Sequence, residues 1–234
     1  FEKTLVEYVV ANYMEYPKFS TENDYIDYMG TVDNQIIQIE DRQVIDFSDI
    51  RKTTLHKYAS EMSKEEVIKE LQIVCNKKDS KNLTLKFINA PTRLEFLTSI
   101  ALVQNYEGLD VNPNYLVDDE GLPTFTASGG LADIECFDED YDSYFEVTLM
   151  CGRADQVNNE IIPISRHLRE AKASRRNESF SIFVAPVIHP DTKEAAEWQK
   201  KKNGVDIVTL NINEFLSALN ITDKPSKLLS YNQI

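Results

Sequence analysis

Residues 180–185 (FSIFVA) constrain the fold of this chain most strongly, because they are almost wholly apolar. A strand that faces water on one side alternates apolar and polar residues, whereas a strand buried on both faces of a sheet has a continuous apolar run. We therefore expect a central strand with helices on both faces of its sheet, which requires an α/β arrangement.

Two more strands are predicted at residues 131–137 and 144–150, and the polar, acidic turn between them predicts a hairpin. A further strand is predicted at 205–212. One helix is predicted after a capping box, Ser63 with Glu66, that precedes an apolar stripe, and a second is predicted from Pro91, which suits a first-turn position. A third helix is predicted over 154–173, with an interruption or restart at Pro163, and a short one over 214–219. This order predicts an α/β fold with a mixed sheet flanked by helices.

The N-terminal part has a different pattern. Residues 1–14 predict a helix, and the apolar residues between Tyr25 and Phe47, next to the Asp33-Asn34 turn, predict strands. A helix followed by a small β-ribbon resembles the end of a winged-helix module. We expect a helical, winged-helix-like segment and linker over 1–80 and a second domain over 81–234. The first residue is Phe1, which favours a fragment of a longer protein.

Composition limits the class of protein. No apolar run approaches the length of a membrane span, and no signal segment begins the chain. The three cysteines, Cys75, Cys136 and Cys151, are too few for a disulfide framework and predict small core residues in a reducing cytoplasm. The net charge of −14 disfavours a nucleic-acid interface on this chain, since duplex affinity comes mostly from Lys and Arg. If a chain of this charge acts on DNA, either a DNA-binding domain is missing or clustered carboxylates hold a cation.

Asp133 lies on the first predicted hairpin strand and Glu146 on the second, so their side chains can meet across the hairpin. Thr148 shares a strand face with Glu146, while Val147 between them is predicted to point into the core. Mg²⁺ prefers oxygen ligands and uses one or two carboxylates together with a substrate phosphate. The pattern predicts an ion held by Asp133 and Glu146 for phosphodiester hydrolysis. Solvated carboxylates on neighbouring strands are the alternative.

A family resemblance rests on four segments: 129–135 (GGLADIE), 145–148 (FEVT), 163–168 (PISRHL) and 183–186 (FVAP). They resemble the cleavage domain of the AlwI-type and BstNBI-type type IIS restriction and nicking endonucleases, which are relatives of the FokI cleavage domain. The likeness covers residues 92–218 and extends more loosely back to Tyr25. It implies the PD-(D/E)xK restriction-endonuclease fold. Ala132 replaces the usual proline, and Thr148 stands where many such nucleases have a lysine.

The resemblance implies a Mg²⁺-dependent endonuclease, with Mn²⁺ as a substitute, that cuts double-stranded DNA at a distance from its recognition site. Glu95 matches a helix glutamate of the family and is expected as a metal ligand with Asp133 and Glu146. Thr148 is expected to position water, and Glu160 to support the site from the following helix. A bacterial, cytoplasmic enzyme is implied, with recognition in a separate N-terminal part. One such site cuts one strand, so cutting a duplex needs a homodimer or a second cleavage subunit.

Several alternatives stay open. Glu135 shares a strand face with Asp133, so it either helps to bind metal or faces solvent. Arg166 and His167 either approach phosphate or form a structural pair. A DNA repair or defence nuclease of the same fold, and a catalytically silent nuclease-like interaction subunit, are the rival functions. Asp138, Asp140 and Asp142 resemble the start of an EF-hand loop, but Ser143 and Leu149 replace its required glycine and glutamate.

Overall fold

The computed structural model describes residues 47–174 and 177–233, together with Asp24 and Asp27. The chain divides into two compact units, Phe1–Asp46 and Phe47–Ile234. Because only Asp24 and Asp27 are described in the first unit, the expected winged-helix-like segment lies outside the described residues and stays a prediction.

The second unit alternates helices and strands. Its helices are α1 (Phe47–Glu61), α2 (Lys64–Cys75), α3 (Ala90–Asn105), α4 (Ile162–Ser174), α5 (Pro190–Asn203) and α6 (Ile212–Ile221). Its strands are β1 (Asp110–Pro113), β2 (Leu116–Val117), β3 (Pro123–Phe125), β4 (Ile134–Phe137), β5 (Tyr141–Val147), β6 (Glu178–Ala185) and β7 (Asp206–Asn211). A π-helical segment, Asp155–Ile161, leads into α4, and 3₁₀ turns lie at Leu85–Phe87 and Pro225–Gln233.

Five strands form one mixed sheet in the order β1-β4-β5-β6-β7. The pairs β1–β4 and β4–β5 are antiparallel, whereas β5–β6 and β6–β7 are parallel. The strand β6 is buried along its whole length after Glu178, as its apolar sequence predicted. The predicted α/β fold, a mixed sheet flanked by helices, is confirmed.

Apolar side chains leave the sheet toward both helical layers. On one face Phe145 and Ile182 belong to a large core cluster with Leu97 of α3 and Phe215 of α6. On the other face Phe183 packs in a smaller cluster with Ile164 of α4 and Ala196 of α5. Residues that alternate along β6 therefore enter different cores, which explains why residues 182–185 are all apolar.

The hairpin is offset from its predicted position, since β4 begins at Ile134 and β5 begins at Tyr141. The turn is shorter than expected because the Asp138 side chain accepts hydrogen bonds from the backbone N–H groups of Asp140, at 2.8 Å, and Tyr141, at 2.7 Å. The early start of β5 is also supported by β6, whose register pairs Tyr141 with Glu178.

Helices α1 and α2 belong to the same compact unit as the sheet, whereas we expected the domain division near residue 80. Leu55 of α1 and Leu71 of α2 are fully buried in the cluster that also contains Leu94 of α3, so separating them would expose this core. The capping box predicted for α2 is present, with Ser63 and Glu66 bonded reciprocally.

The cysteine prediction is correct for Cys136, which is buried, but wrong for Cys151, which is exposed in the loop after β5. Cys75 is half-buried. None of the described helices combines the length and the apolarity that a membrane span needs.

Candidate active site

Asp133 and Glu146 meet where the β4–β5 hairpin opens. The antiparallel register pairs Ile134 with Phe145, so one further step places Asp133 opposite Glu146. The two residues bond to each other's strand: the Asp133 carboxylate accepts from the Val147 N–H at 2.7 Å, and the Glu146 carboxylate accepts from the Asp133 N–H. Both carboxylates are thereby held at the same end of the sheet.

Asn114 fixes the backbone that carries Asp133. Its N–H donates to the Asp133 carbonyl at 2.9 Å, and its side-chain amide donates to the Ala132 carbonyl at 2.8 Å. This double contact holds the chain in register just before β4, where Ala132 replaces the family's proline.

Glu95 reaches the same site from α3. Its side chain is only 3% exposed and accepts a hydrogen bond from the Ala127 N–H at 3.1 Å. Sequence spacing predicts a surface carboxylate on this helix, and only the family resemblance indicated an inward one. The structure places Glu95 close enough to Asp133 for their charges to interact.

Thr148 and Glu160 complete the group from the other side. The Thr148 hydroxyl donates to the Glu160 carboxylate and accepts from the Met150 N–H at 3.2 Å. Glu160 lies on the π-helical segment Asp155–Ile161, a rare geometry that is frequent at functional sites. Pro163 follows in the first turn of α4 and has no N–H for the carbonyl four residues earlier, which disfavours a regular α-helix there.

The carboxylates of Glu95, Asp133, Glu146 and Glu160, here called the carboxylate group, repel one another in a buried environment. Burial raises the pKa of Glu95 to about 9, with a further contribution from Asp133, while the Ala127 N–H opposes the shift. Burial also raises the pKa of Asp133 to about 7, against the hydrogen bond from Val147 and together with the charge of Glu160.

Glu146 is affected most broadly. Its pKa is raised well above the ordinary value by burial first, then by Asp133 and Glu160, and more weakly by Glu95. Burial likewise raises the pKa of Glu160, although its hydrogen bond from Thr148 opposes the shift. Among the described residues, the charged groups that shift these four pKa values are carboxylates, and no basic side chain is among them.

Buried negative charge without a basic partner fits a hard divalent cation, because such an ion lowers the cost of ionising its ligands. Within the described ranges, no three His, Cys, Asp or Glu side chains form a ready-made metal centre. Mg²⁺ does not require one, since it typically binds through one or two carboxylates, several waters and a substrate phosphate. The carboxylate oxygens of Asp133 and Glu146 are donors of the kind that such an ion uses.

A cavity of about 230 Å³ adjoins the site on the α4 side of the sheet. Glu146, Glu135 and His167 all line it, so Glu135 faces this cavity beside the carboxylate group. An Arg166 N–H donates to the His167 imidazole at 3.3 Å, which is the structural pair expected as one alternative. Burial and the Arg166 charge lower the pKa of His167.

The structure thus brings together all five residues selected from the sequence: Glu95, Asp133, Glu146, Thr148 and Glu160. Sequence reasoning missed Gln156, which is fully buried on the same π-helical segment as Glu160. A lone glutamine carries no spacing signal that could have indicated it.

Several solved structures resemble this fold, and two of them are restriction endonuclease structures. The small subunit (R.BspD6I2) of the heterodimeric restriction endonuclease R.BspD6I matches with a TM-score of 0.56 and 22% identity, over 70% of this chain and 84% of that chain. Restriction endonuclease FokI matches with a TM-score of 0.50 and 12% identity, over 75% of this chain but only 32% of that chain. At these identities the likeness shows a shared fold. No curated protein matches the chain in sequence.

A sequence profile of the AlwI restriction endonuclease family matches residues 18–218, which is most of the chain. The matched range includes every residue of the carboxylate group and all five strands of the main sheet. The resemblance noted in the sequence is confirmed, and the fold agrees with it. The chain therefore belongs to the AlwI restriction endonuclease family.

Proposed function

We propose that this chain is the cleavage unit of a type IIS restriction or nicking endonuclease, which hydrolyses a DNA phosphodiester in a Mg²⁺-dependent reaction at a distance from the recognition site. The observation that carries the proposal is the convergence of four buried carboxyl groups whose pKa values are raised, those of Glu95, Asp133, Glu146 and Glu160. Among the described residues, the charged groups that shift these pKa values are all acidic. Shifts of this kind cluster at functional sites.

Asp133, Glu146 and Glu95 would hold Mg²⁺, and Mn²⁺ would substitute for it. When bound, the ion lowers the pKa of a coordinated water and neutralises charge on the phosphate. The reciprocal hydrogen bonds between the strands of Asp133 and Glu146 fix both ligands on rigid backbone, so little reordering is needed when the ion binds.

Thr148 and Glu160 would act on the attacking water. The Thr148 hydroxyl proton points to Glu160, so its oxygen and the carboxylate form one polar unit beside the metal ligands. Burial raises the pKa of Glu160, which makes its carboxylate a stronger base for a proton from the attacking water. Thr148 supplies no positive charge where related nucleases have a lysine. The bound Mg²⁺ would therefore have to stabilise the negative charge that develops on the phosphate.

Double-stranded DNA would be the substrate, with its recognition sequence bound by a separate part of the protein. One active site of this kind cuts one DNA strand, so we expect a second cleavage subunit or a homodimer for duplex cleavage. The R.BspD6I small subunit belongs to a heterodimeric enzyme, which supports the first of these arrangements. We place this enzyme in the cytoplasm.

A catalytically silent interaction subunit is the rival function, and Thr148 in the lysine position is the observation that favours it. This rival predicts that no divalent ion binds and that substituting Asp133 changes nothing. A repair or defence nuclease of the same fold would cleave without an offset recognition site, so mapping the cuts on defined duplexes separates it from our proposal.

Nicking of supercoiled plasmid by the purified chain tests the proposed function. We expect conversion to the open circle with Mg²⁺ or Mn²⁺ and none with EDTA. Glu146→Gln should remove the activity, whereas Glu139→Gln, the same change at an exposed turn position, should leave it intact. Nicking without metal, or full activity of Glu146→Gln, would refute the assignment.

A further inference from the structure

Gln156 is fully buried, and its side-chain amide makes four hydrogen bonds. Its nitrogen donates to the carbonyls of Met150, at 2.8 Å, and Val187, at 2.7 Å. Its oxygen accepts from the His189 N–H, at 3.0 Å, and from the Thr192 hydroxyl, at 2.8 Å. A primary amide has two donors and two acceptor positions, so every one is used and its orientation is fixed.

These four bonds join three separate segments of the chain. Met150 lies in the loop after β5, Val187 and His189 lie between β6 and α5, and Thr192 lies in the first turn of α5. Gln156 itself is on the π-helical segment, where its own N–H donates to the Gly152 carbonyl at 3.0 Å. The amide therefore ties the loop after β5 to two elements that are packed elsewhere in the fold.

The loop that Gln156 holds is the loop that orients Thr148. Gln156 fixes the Met150 carbonyl, and the Met150 N–H donates to the Thr148 hydroxyl oxygen at 3.2 Å. The Thr148 hydroxyl then donates to Glu160, which lies one turn after Gln156 on the π-helical segment. Hydrogen bonds at both ends of the Met150 backbone thus connect Gln156, through Met150 and Thr148, to Glu160.

We propose that Gln156 is a positioning residue for the Thr148–Glu160 pair, an inference that rests on the proposed nuclease function. Gln156 does not contact the reacting atoms. It acts by holding the Met150 carbonyl, which restricts rotation of the residue whose N–H donates to the Thr148 hydroxyl oxygen. The Thr148 hydroxyl proton is then directed to Glu160. Small displacements of positioned groups reduce rates strongly, by about a hundredfold for 1 Å.

The first test is a double-mutant cycle on plasmid nicking with Mn²⁺, using Gln156→Met, Thr148→Val and the double variant. Gln156→Met should slow nicking by about tenfold to a hundredfold through the maximal rate, with little change in the half-saturating DNA concentration. In the Thr148→Val background the same change should have almost no further effect, because the group that it positions is gone. Additive losses would overturn the proposal.

Gln104 offers a matched control. It also donates to two backbone carbonyls, those of Ala59 at 2.9 Å and Met62 at 2.7 Å, but it joins α1 to α3. Gln104→Met should lower thermal stability as Gln156→Met does and leave the nicking rate of the folded protein unchanged. Thr192→Val, which removes a single bond to the Gln156 oxygen, is a milder variant that should slow nicking less than Gln156→Met.

Hydrogen exchange at the Met150 amide provides a readout that does not depend on cleavage. Gln156→Met should increase this exchange, whereas Gln104→Met should not. If the wild-type chain fails to nick DNA but Met150 exchange responds as expected, the proposed function fails, and only the structural contact between Gln156 and Met150 stands. If the wild type nicks DNA and Met150 exchange is unaffected by Gln156→Met, the positioning role is wrong.

Discussion

At the scale of single residues, the buried carboxylates of Glu95 and Glu146 oppose the stability of the fold when they are ionised. Glu95 and Glu146 are almost fully buried, and the charges that act on them raise their pKa values. Ionising them in the folded chain is therefore unfavourable until a cation balances the charge. Such local conflict is expected where a site is built for a ligand.

The first prediction concerns the pH dependence of stability without metal. When folding raises the pKa of a carboxyl group, its contribution to stability is fully present at a pH below the pKa of the unfolded chain. This contribution is lost as the pH rises through the pKa of the folded chain. The folded values are about 7 for Asp133 and about 9 for Glu95, so the melting temperature should fall between pH 5 and pH 9. Each pKa unit corresponds to about 1.4 kcal/mol.

The half-buried His167, whose pKa is lowered by burial and by Arg166, contributes in the opposite direction, but only below the ordinary histidine pKa of about 6.5. Saturating Mg²⁺ should flatten the decline, because the bound ion stabilises the ionised carboxylates. Glu95→Gln should flatten its upper part. A metal-free melting temperature that rises steadily from pH 5 to pH 9 would contradict this account.

The second prediction is that Glu146→Gln stabilises the metal-free chain at pH 8. The amide keeps an acceptor for the Asp133 N–H but removes one buried charge, so the free energy of unfolding should rise by about 1 to 3 kcal/mol. Denaturant titration measures this difference. The exposed change Glu139→Gln should stay within about 0.5 kcal/mol of wild type. A clearly less stable Glu146→Gln protein would show that its charge is already compensated.

The sequence predicted these residues by two different routes. Asp133 and Glu146 follow from a hairpin with carboxylates on both strands. Glu95 and Glu160 came only from the family resemblance, because a helix glutamate has no spacing signal that separates a ligand from a surface residue. Gln156 could not be predicted, since its importance depends on backbone carbonyls and N–H groups that only the folded chain brings together.

At the scale of elements, β6 connects the site to the core. Its register places Phe183 beside Glu146 and Val184 beside Val147, and the Thr148 N–H donates to the Val184 carbonyl at 3.0 Å. The end of β5 that carries Glu146 and leads to Thr148 is thus supported by a strand buried on both faces.

The third prediction is that Ile182→Ala destabilises the fold by about 2 to 5 kcal/mol, because it leaves a cavity in the larger core. Ile182 is fully buried. Val187, which follows β6 and is 59% exposed, provides the control, and Val187→Ala should change stability by no more than about 0.5 kcal/mol. Equal effects of the two changes in chemical denaturation would argue against β6 as the central strand.

Elements with a strong apolar pattern were predicted well, and those without one were missed. The strand β6 and the capped helix α2 were anticipated from the sequence. Helix α5 was missed because its sequence, PDTKEAAEWQKKKN, has few apolar residues and packs through Ala196. Strand β1 was missed because Asn112 and Pro113 are unfavourable in strands, and it is tolerated as the edge strand of the sheet.

At the scale of the whole molecule, the net charge of −14 opposes binding to a polyanion. Basic side chains of α5 are also partly neutralised within the fold, since Lys193 pairs with Glu214 and Lys200 with Asp206. The carboxylate group adds local negative charge that a bound cation would offset. Under the proposed function, a divalent ion would therefore serve both the chemistry and the approach of a phosphate.

The fourth prediction tests the central claim, that these carboxylates form a cation site. In calorimetric titrations, wild-type protein should bind Mg²⁺ and Mn²⁺ saturably, with heats that depend on the buffer because binding releases protons from carboxyl groups of raised pKa. Asp133→Asn should lose this binding, while the exposed change Asp119→Asn should keep it. Equal, weak heats for wild-type and Asp133→Asn proteins would contradict the claim.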